Sequence, residues 1–199
     1  MTPEILEYLR NAKTIIGGYR NVLEIGSMNV NGSAKDALHH FSWLGVDIAE
    51  GPGVDVVLEE DNIAYESLSE SGLIYPDTIV ICECLEHTKY PIDIVSSAQY
   101  ALRRSVEIAR FNEIRDYDYL NQYMIITSPS YGFSYHAYPK DYWRFTKETL
   151  EDVLFDGMEI VDLRYLDSNE GKNTTVAGIA RLSTSRKKDL LHNKELRDY

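Results

Sequence analysis

The sequence predicts an α/β fold: a doubly wound, seven-stranded mixed sheet that ends in an antiparallel pair of C-terminal strands. Apolar strand patterns alternate with helical patterns through most of the chain, which is typical of a parallel sheet covered on both faces. Two strands then follow one another around the short polar turn at 167–173. With 199 residues the chain can bury a real core, so we expect one domain over 1–199, with an N-terminal helix in 1–18 and a charged tail over 183–199.

Local signals support each element. Thr2 before Pro3 has the order of an N-cap and a first helical residue, Gly17 and Gly18 end that helix, and Ser33 is placed to cap the next one. The predicted strands lie at 21–25, 43–48, 54–58, 77–83, 123–128, 158–166 and 174–182. The predicted helices lie at 3–16, 32–41, 64–71, 91–111 and 146–155, the last with Thr146 as its cap and Thr149 in place of the usual Glu.

The charge and hydropathy of the chain exclude some classes of function. The formal net charge of −12 should repel phosphate backbones and anionic membranes, so a nucleic-acid partner is unlikely. Because no apolar stretch reaches the roughly 18–20 residues of a transmembrane helix, we expect no membrane span. The N-terminal stretch is charged and amphipathic, unlike a signal peptide. These features predict a cytoplasmic protein.

The cysteines and histidines give no metal-binding pattern. Cys82 and Cys84 lie two apart on a predicted strand, so we expect both thiols on one face, buried and unbridged. Two thiols alone do not make a zinc site. His39 and His40 are adjacent on a predicted helix and would face different directions. The sequence therefore predicts no metal site.

The stretch "VLEIGSMNVNGSAK" is the most specific part of the chain. A strand ending near Glu24 leads through a loop with Gly26 and Gly32 into a helix, and in doubly wound sheets ligands bind at such strand ends. The loop does not match the dinucleotide pattern G-x-G-x-x-G and lacks its middle glycine. It suits a ligand that needs a close backbone but carries no phosphate. Asp47, at the end of the second strand, can accept both hydroxyls of a ribose, and Glu59 could accept an adenine amino proton.

Four stretches together resemble the class I S-adenosylmethionine-dependent methyltransferases, and among them small stand-alone, type-11-like members. They are "VLEIGSMNVNGS", "WLGVDIAEGPGVDVVLEED", "DTIVICECLEHTKYP" and "IITSPSYGFSYHAYPKDYWRFTKETL". The resemblance implies a Rossmann-like sheet with one antiparallel strand and S-adenosyl-L-methionine as cofactor. The residues that it places at the cofactor are Glu24, Gly26, Ser27, Gly32, Asp47, Ile48, Glu59 and Glu83. Leu85, Glu86 and His87 match the family's pattern after the fourth strand.

The chain departs from that family pattern in two places. Its glycine loop is longer than the usual Glu-x-Gly-x-Gly-x-Gly, and the usual Pro-Gly-Gly turn before the fifth strand is missing. Residues 112–122 stand in place of that turn, and no role can be assigned to them.

Two residues after the fourth strand are candidates for catalysis. A carboxylate at Glu83, directly after a buried apolar strand, is costly unless it is paired or lies at a site. His87 has a near-neutral intrinsic pKa and could take a proton from a substrate hydroxyl or amine. The structural alternatives are a hydrogen-bonding loop histidine at His87 and a turn cap at Glu86.

The aromatic segment after the fifth strand is placed to cover a substrate. Tyr131, Tyr135, His136 and Tyr138 are predicted to contact it. For the following residues we favour a structural role, with Trp143 and Phe145 in the core and Arg144 paired with an acid.

Methyl transfer needs positioning, desolvation and at most one base, which fits a chain without an obvious nucleophile triad. The predicted function is methyl transfer to an unidentified small-molecule or sugar acceptor. The alternatives are a catalytically silent, methyltransferase-like binding protein and a short dehydrogenase, and the altered glycine loop disfavours the dehydrogenase. The sequence does not indicate an oligomeric state.

Overall fold

A computed structural model describes residues 1–17, 20–38, 42–58, 75–114, 121–137, 140–167 and 173–183. Its strands are β1 (Asn21–Ile25), β2 (Ser42–Asp47), β3 (Val56–Val57), β4 (Thr78–Cys82), β5 (Tyr123–Pro129), β6 (Met158–Asp167) and β7 (Asn173–Leu182). Its helices are α1 (Pro3–Ile16), α2 (Ala34–Ala37), α3 (Pro91–Phe111) and α4 (Lys147–Thr149), with a 3₁₀ turn at Leu85–His87 and a π-helical turn, Leu150–Leu154, that extends α4.

The seven strands form one sheet in the order β3-β2-β1-β4-β5-β7-β6. Neighbours from β3 to β5 are parallel, and β7 pairs antiparallel with both β5 and β6. The predicted mixed sheet with an antiparallel C-terminal pair is confirmed. From β1 the chain builds outward in one direction to β3, and from β4 it builds in the other. The switch point of the sheet, where ligands bind in such folds, therefore lies between the ends of β1 and β4.

The core occupies both faces of the sheet. On one face α3 and the segment after α4 contribute Val95, Leu102 and Phe155. On the other face α1 packs through Ile5 and Leu9. Alternate residues of β1 and β4 enter the two faces, as expected for strands that are buried on both sides. None of the helices in the described part of the chain is long and apolar enough to cross a membrane.

The predicted helix caps are confirmed. Thr2 Oγ1 accepts a hydrogen bond from Ile5 N (3.4 Å), and Ser33 Oγ accepts one from Lys35 N (3.1 Å). Thr146 Oγ1 accepts from the backbone N–H of Thr149 (3.3 Å), which is the N-cap half of a capping box, and the hydroxyl oxygens of the two residues lie 3.2 Å apart. These local bonds satisfy N–H groups that the first turn of a helix leaves unpaired.

Several boundaries differ from the prediction. The third strand is only two residues long, because residues 51–55 form a turn in which Gly53 has a φ of +88° and Asp55 N bonds to Gly45 O. Helix α2 ends at Ala37 in the described chain. The predicted helix at 64–71 and the residues His39 and His40 lie outside the described residues, as do most of 112–122 and the tail after 183.

The expectation that Cys82 and Cys84 lie on one face is wrong. The strand β4 ends at Cys82, and Glu83 has a φ of +50°, which turns the chain before Cys84. Cys82 therefore belongs to the core under α1, whereas Cys84 packs with the opposite core and against Gly26. Both are free thiols, and burial raises the pKa of each.

Candidate functional site

The loop after β1 and the turn after β4 are in direct contact at the switch point. Gly26 has a φ of +76°, and a Cβ at this position would lie 2.6 Å from both Cβ and Sγ of Cys84. No other residue fits here, because the backbone conformation and the lack of space both demand glycine. The two segments that carry the predicted cofactor and catalytic residues are thereby held together.

The glycine loop (residues 26–32) bonds its own N–H groups within the protein. Gly26 N and Ser27 N both donate to Val46 O (2.9 and 3.1 Å), and Asn29 N donates to Pro52 O (2.7 Å). Gly32 N donates to Asn29 Oδ1 (2.9 Å). A phosphate-binding loop turns its N–H groups toward the ligand. In this loop the N–H groups of residues 26–29 and of Gly32 are bonded within the protein instead, which agrees with a ligand that lacks phosphate at this position.

Asp47 closes β2 and organises the adjacent backbone. Its Oδ2 accepts from Met28 N (3.0 Å), and its Oδ1 accepts from Ile48 N (2.7 Å) and Ala49 N (3.4 Å). The carboxylate is half-buried, and Oδ2, which accepts one hydrogen bond, keeps capacity for another. The Ile48 side chain is 49% exposed beside it, an apolar surface next to the carboxylate.

Ser27 in the glycine loop and Glu24 at the end of β1 are both buried. Ser27 is buried, and its hydroxyl faces Gly45, where a Cβ would approach it to 2.7 Å. Glu24 Oε2 accepts a hydrogen bond from the indole Nε1 of Trp43 (3.0 Å). Burial raises the pKa of Glu24 to about 7, although the bonds from Trp43 and from the backbone N–H of Ala34 favour the ionised form. Both side chains therefore help to hold the glycine loop in place.

Glu83 stands at the carboxyl end of β4 in a strained position. Its φ of +50° is uncommon for a residue with a side chain, and such conformations concentrate at functional sites. Its backbone N donates to Thr127 O (2.9 Å), and its Oε1 accepts from Thr127 Oγ1 (3.2 Å). Burial, and next the charge of Glu86, raise the pKa of Glu83 above the ordinary range.

Glu86, His87 and His136 form what we call the Glu–His–His cluster. Glu86 is fully buried, and its Oε2 accepts a hydrogen bond from Ser128 Oγ (2.9 Å). Among the described residues its Oε1 has no hydrogen-bond partner, and it lies 3.5 Å from His87 Nε2 and 3.7 Å from His136 Nε2. The Glu86 carboxylate is the main cause of a raised pKa at His136. Glu86 is therefore the centre of the cluster and not a turn cap.

The outer nitrogens of the two imidazoles are also oriented. His87 Nδ1 lies 2.5 Å from Lys140 O, so this nitrogen carries the proton and donates it to the carbonyl. His136 Nδ1 lies 3.5 Å from Asp141 Oδ2. The imidazole rings meet edge to face with their centroids 5.1 Å apart. Both Nε2 atoms consequently face Glu86.

The aromatic loop (residues 130–146, of which 138–139 lie outside the described residues) is fastened to the turn after β4. Tyr142 N donates to Glu86 O (2.7 Å) and Trp143 Nε1 donates to Thr88 O (2.8 Å). Within the loop, Arg144 forms a two-pronged ion pair with Asp141, which lowers the pKa of that carboxyl well below its usual range. The predicted pairing of Arg144 with an acid is confirmed.

The core assignment holds for Phe145, which is buried, and is wrong for Trp143, which is 43% exposed. The hydrogen bond of its indole to Thr88 O keeps Trp143 at the surface edge of the loop. Tyr131 and Tyr135 are exposed, and the ring of Tyr131 lies edge-on to that of Tyr165. Tyr138 and Glu59 lie outside the described residues.

A cavity of about 450 Å³ lies between the start of α3 and the segment 143–154. Its lining is mainly apolar and includes Tyr90, Ile92, Trp143 and Val153. None of the residues predicted to bind cofactor or substrate lines it, although it shares Trp143, Arg144 and Phe145 with the aromatic loop.

The sequence did not predict the parts that three residues have in the site: the central place of Glu86 in the cluster, the hydrogen bond of Ser128 and the ion pair of Asp141. Ser128 lies on β5 and Glu86 in the 3₁₀ turn after β4, and the pairing of β4 with β5 brings the two residues together. The only local signal was the placement of Ser128 at the end of an apolar strand, where a buried hydroxyl needs a partner.

The chain was compared with known proteins. No protein-family model and no curated protein sequence matches it. Its structure is similar to 1,6-didemethyltoxoflavin-N1-methyltransferase of Burkholderia thailandensis, solved with 1,6-didemethyltoxoflavin and S-adenosylhomocysteine bound; identity is 14%, the TM-score is 0.59, and the match covers 89% of this chain and 78% of that one. It is also similar to the N-terminal domain of EvdMO1, solved in the presence of S-adenosylhomocysteine and D-fucose, with 14% identity, a TM-score of 0.55 and coverage of 92% and 84%.

A third similar structure is an S-adenosylmethionine-dependent methyltransferase from Archaeoglobus fulgidus, with 18% identity, a TM-score of 0.55 and coverage of 89% and 92%. The strand order with one reversed strand and these likenesses define the class: the chain has the fold of the class I S-adenosylmethionine-dependent methyltransferases. The resemblance noted in the sequence is thus confirmed at the level of the fold.

Proposed function

We propose that the protein binds S-adenosyl-L-methionine and transfers its methyl group to a small-molecule acceptor. The observation that carries the proposal is the glycine loop at the switch point, whose N–H groups are bonded internally around Asp47. A nucleoside without phosphates needs the close backbone and the carboxylate, and it does not need free N–H groups. A pyrophosphate does need them, which argues against a dehydrogenase.

Each cofactor residue has a proposed part. Gly26 and Gly32 shape the wall against the methionine and ribose side, and Asp47 accepts the ribose hydroxyls with its remaining lone pairs. The exposed side chain of Ile48 offers an apolar face to the adenine. Ser27 contributes by supporting the loop, since its hydroxyl is buried. Glu59 was predicted to face the adenine, and this proposal stays open because Glu59 lies outside the described residues.

Buried carboxyl groups make the cleft suitable for a cation. Glu24 and Glu83 both have a raised pKa because burial disfavours their charged forms. A positive ligand would relieve that cost. When bound, S-adenosylmethionine supplies an activated methyl group on a positively charged sulfur, which leaves as a neutral thioether. In their ionised form these carboxylates would favour that sulfonium electrostatically over the neutral product.

The β4–β5 end of the cleft is the proposed acceptor site. Tyr131, Tyr135 and His136 offer aromatic and polar surface there, and Tyr138 is proposed with them from the sequence alone. Glu83 and His87 are the proposed proton acceptors for a hydroxyl or amine nucleophile. His87 hydrogen-bonds to Lys140 O through Nδ1–H, and in the neutral imidazole this leaves the lone pair on Nε2. The compounds present with the similar structures, 1,6-didemethyltoxoflavin and D-fucose, support a small molecule or saccharide here.

Calorimetric titration tests the cofactor directly. We expect S-adenosylmethionine and S-adenosylhomocysteine to bind and NADH not to bind. Asp47→Asn should weaken the binding of both compounds by about 10–100-fold, because the substitution removes a charged hydrogen-bond acceptor. Glu50→Gln, an exposed acid three residues further on, is the matched control and should bind normally. Binding of NADH alone, or full affinity in Asp47→Asn, would refute the proposal.

A further inference from the structure

The three residues of the Glu–His–His cluster do not satisfy one another's hydrogen-bonding capacity. Glu86 is 0% exposed, and yet within the part of the chain that the structure describes its Oε1 has no hydrogen-bond partner, which is a costly arrangement for a carboxylate oxygen. The two nearest polar atoms, His87 Nε2 and His136 Nε2, lie 3.5 and 3.7 Å away, at or beyond the limit of a direct hydrogen bond. A ligand placed between the three side chains would give Glu86 Oε1 and the two Nε2 atoms a partner.

The spacing matches that of ligands around a metal ion. With metal–ligand bonds of about 2.0–2.1 Å, two ligands of a tetrahedral ion lie roughly 3.4 Å apart. The distances from Glu86 Oε1 to the two imidazole nitrogens are close to that value, and all three ligand atoms lie within 4.8 Å of one another. Two imidazole nitrogens and one carboxylate oxygen are a donor set that suits divalent first-row transition metals.

Each of the three groups also has an outer partner that sets its orientation. His87 donates through Nδ1 to Lys140 O, and His136 Nδ1 faces the Asp141 carboxylate. Glu86 is held through its other oxygen by Ser128. In protein metal sites the ligating histidine usually gives its second nitrogen to a carbonyl or a carboxylate, which fixes the free lone pair toward the metal. The carbonyl form of that support is present at His87, whereas His136 Nδ1 lies 3.5 Å from Asp141 Oδ2 and makes no hydrogen bond among the described residues.

We propose that Glu86, His87 and His136 bind one divalent transition-metal ion, zinc being the best match to this donor set. His136 is 36% exposed in its side chain, so the ion has an entrance from solvent. Three protein ligands leave one coordination position open. That this position takes an acceptor oxygen is a consequence that rests on the proposed function, whereas binding of the ion does not. In the ion-bound protein the imidazoles act as ligands, and Glu83 remains as the proposed proton acceptor.

The test uses the full chain without a polyhistidine tag, stripped with a chelator and titrated with Co²⁺ and then with Zn²⁺. We expect one Co²⁺ per chain, with visible absorption bands of a low-coordinate site that Zn²⁺ removes. His136→Ala and Glu86→Gln should each weaken binding by more than about 100-fold, and Ser128→Ala, which removes only an outer partner, by about 10-fold. His192→Ala, which removes an imidazole outside the cluster, is the matched control and should bind the ion normally.

Two results would overturn the inference: no bound Co²⁺ or Zn²⁺ at micromolar concentrations, or unchanged binding in His136→Ala. His136→Ala removes a partly exposed ring, and an unchanged unfolding temperature in this variant separates loss of a ligand from loss of the fold. Calorimetry with S-adenosylmethionine on the same stripped protein separates the two proposals. Cofactor binding without ion binding refutes only the metal site, and ion binding without cofactor binding refutes only the proposed function.

Discussion

The two sides of the cleft are built in different ways. On the β1–β2 side (residues 24–53), the chain is held by backbone hydrogen bonds between neighbouring segments, with glycines at the closest approaches. On the β4–β5 side (residues 83–88 and 128–146), side chains from distant segments hold one another through charges and imidazoles. The first side has a fixed shape that the local sequence encodes. The second side depends on a polar network that only the tertiary fold assembles.

Two buried carboxyl groups illustrate the contrast. Glu24, on the β1–β2 side, has neutral partners, and burial raises its pKa to about 7. Asp141, on the β4–β5 side, is only 1% exposed in its side chain but is paired with Arg144, which lowers its pKa. Glu24 therefore stabilises the fold when it is protonated, and Asp141 does so when it is ionised.

The largest effect on stability and cofactor binding is expected from Gly26→Ala, which disrupts the backbone geometry of the β1–β2 side. The added methyl group meets Cys84 at 2.6 Å and the φ of +76° is unfavourable for alanine. We expect a loss of about 4 kcal/mol in the free energy of unfolding and no measurable cofactor binding. Urea unfolding and calorimetry measure the two effects.

Gly51→Ala is the control for that variant. Its Cβ would meet only the flexible side chain of Met28, at 3.1 Å or more, so the variant should fold and bind almost normally. Equal losses in the two glycine variants would mean that the contact between the glycine loop and the turn after β4 has no special role.

The second effect tests the neutral carboxyl group. Because the pKa of Glu24 is raised from 4.5 to about 7 in the fold, its contribution to stability is complete below about pH 4.5 and is lost as the pH rises through 7. Glu24→Gln keeps an acceptor for Trp43 and cannot ionise. The stability of the variant relative to the native protein should therefore rise by about 3 kcal/mol between pH 4.5 and pH 8.

Denaturant unfolding of both proteins at several pH values measures this difference. Lys35 and Asp47 also influence Glu24, with opposite signs, and neither is removed by the substitution. A difference between the two proteins that stays constant with pH would show that Glu24 ionises normally in the fold.

The smallest of the three effects tests the β4–β5 side alone. Arg144→Ala leaves the buried Asp141 without its cation, and we expect a loss of about 2 kcal/mol in unfolding free energy. The aromatic loop should loosen, which faster hydrogen exchange at the amides of Tyr142 and Phe145 would report. Arg144→Lys keeps the charge but not the bidentate ion pair. Its unfolding free energy should lie between those of Arg144→Ala and the native protein.

Cofactor affinity should change little in Arg144→Ala if the two sides of the cleft are independent. A loss of affinity as large as that in Asp47→Asn would show instead that the aromatic loop also shapes the cofactor site.

The sequence predicted what depends on local patterns. The sheet with its reversed C-terminal pair follows from alternating apolar runs and one short polar turn, and α3 was predicted with its observed bounds because Pro91 marks its start. Gly26 and Asp47 were placed at neighbouring strand ends because each follows a recognisable strand. The observed contacts of Asp47 with Met28 and Ile48 agree with that placement.

The rest of the site depends on contacts between distant segments. Glu86 looked like a turn residue because its partners Ser128 and His136 come from the next strand and the loop beyond it. Cys84 was assigned to the wrong face because no pattern signals the positive φ of Glu83. Trp143 was assigned to the core on its size alone, whereas its indole N–H finds an acceptor at the edge of the loop.

The most direct test of the account is a crystal structure of the chain grown with S-adenosylhomocysteine. We predict the nucleoside at the switch point between β1 and β4, with its ribose hydroxyls within hydrogen-bond distance of the Asp47 carboxylate and its sulfur facing the turn after β4. A nucleoside bound elsewhere, or no bound nucleoside at a concentration that saturates methyltransferases of this fold, would contradict the account.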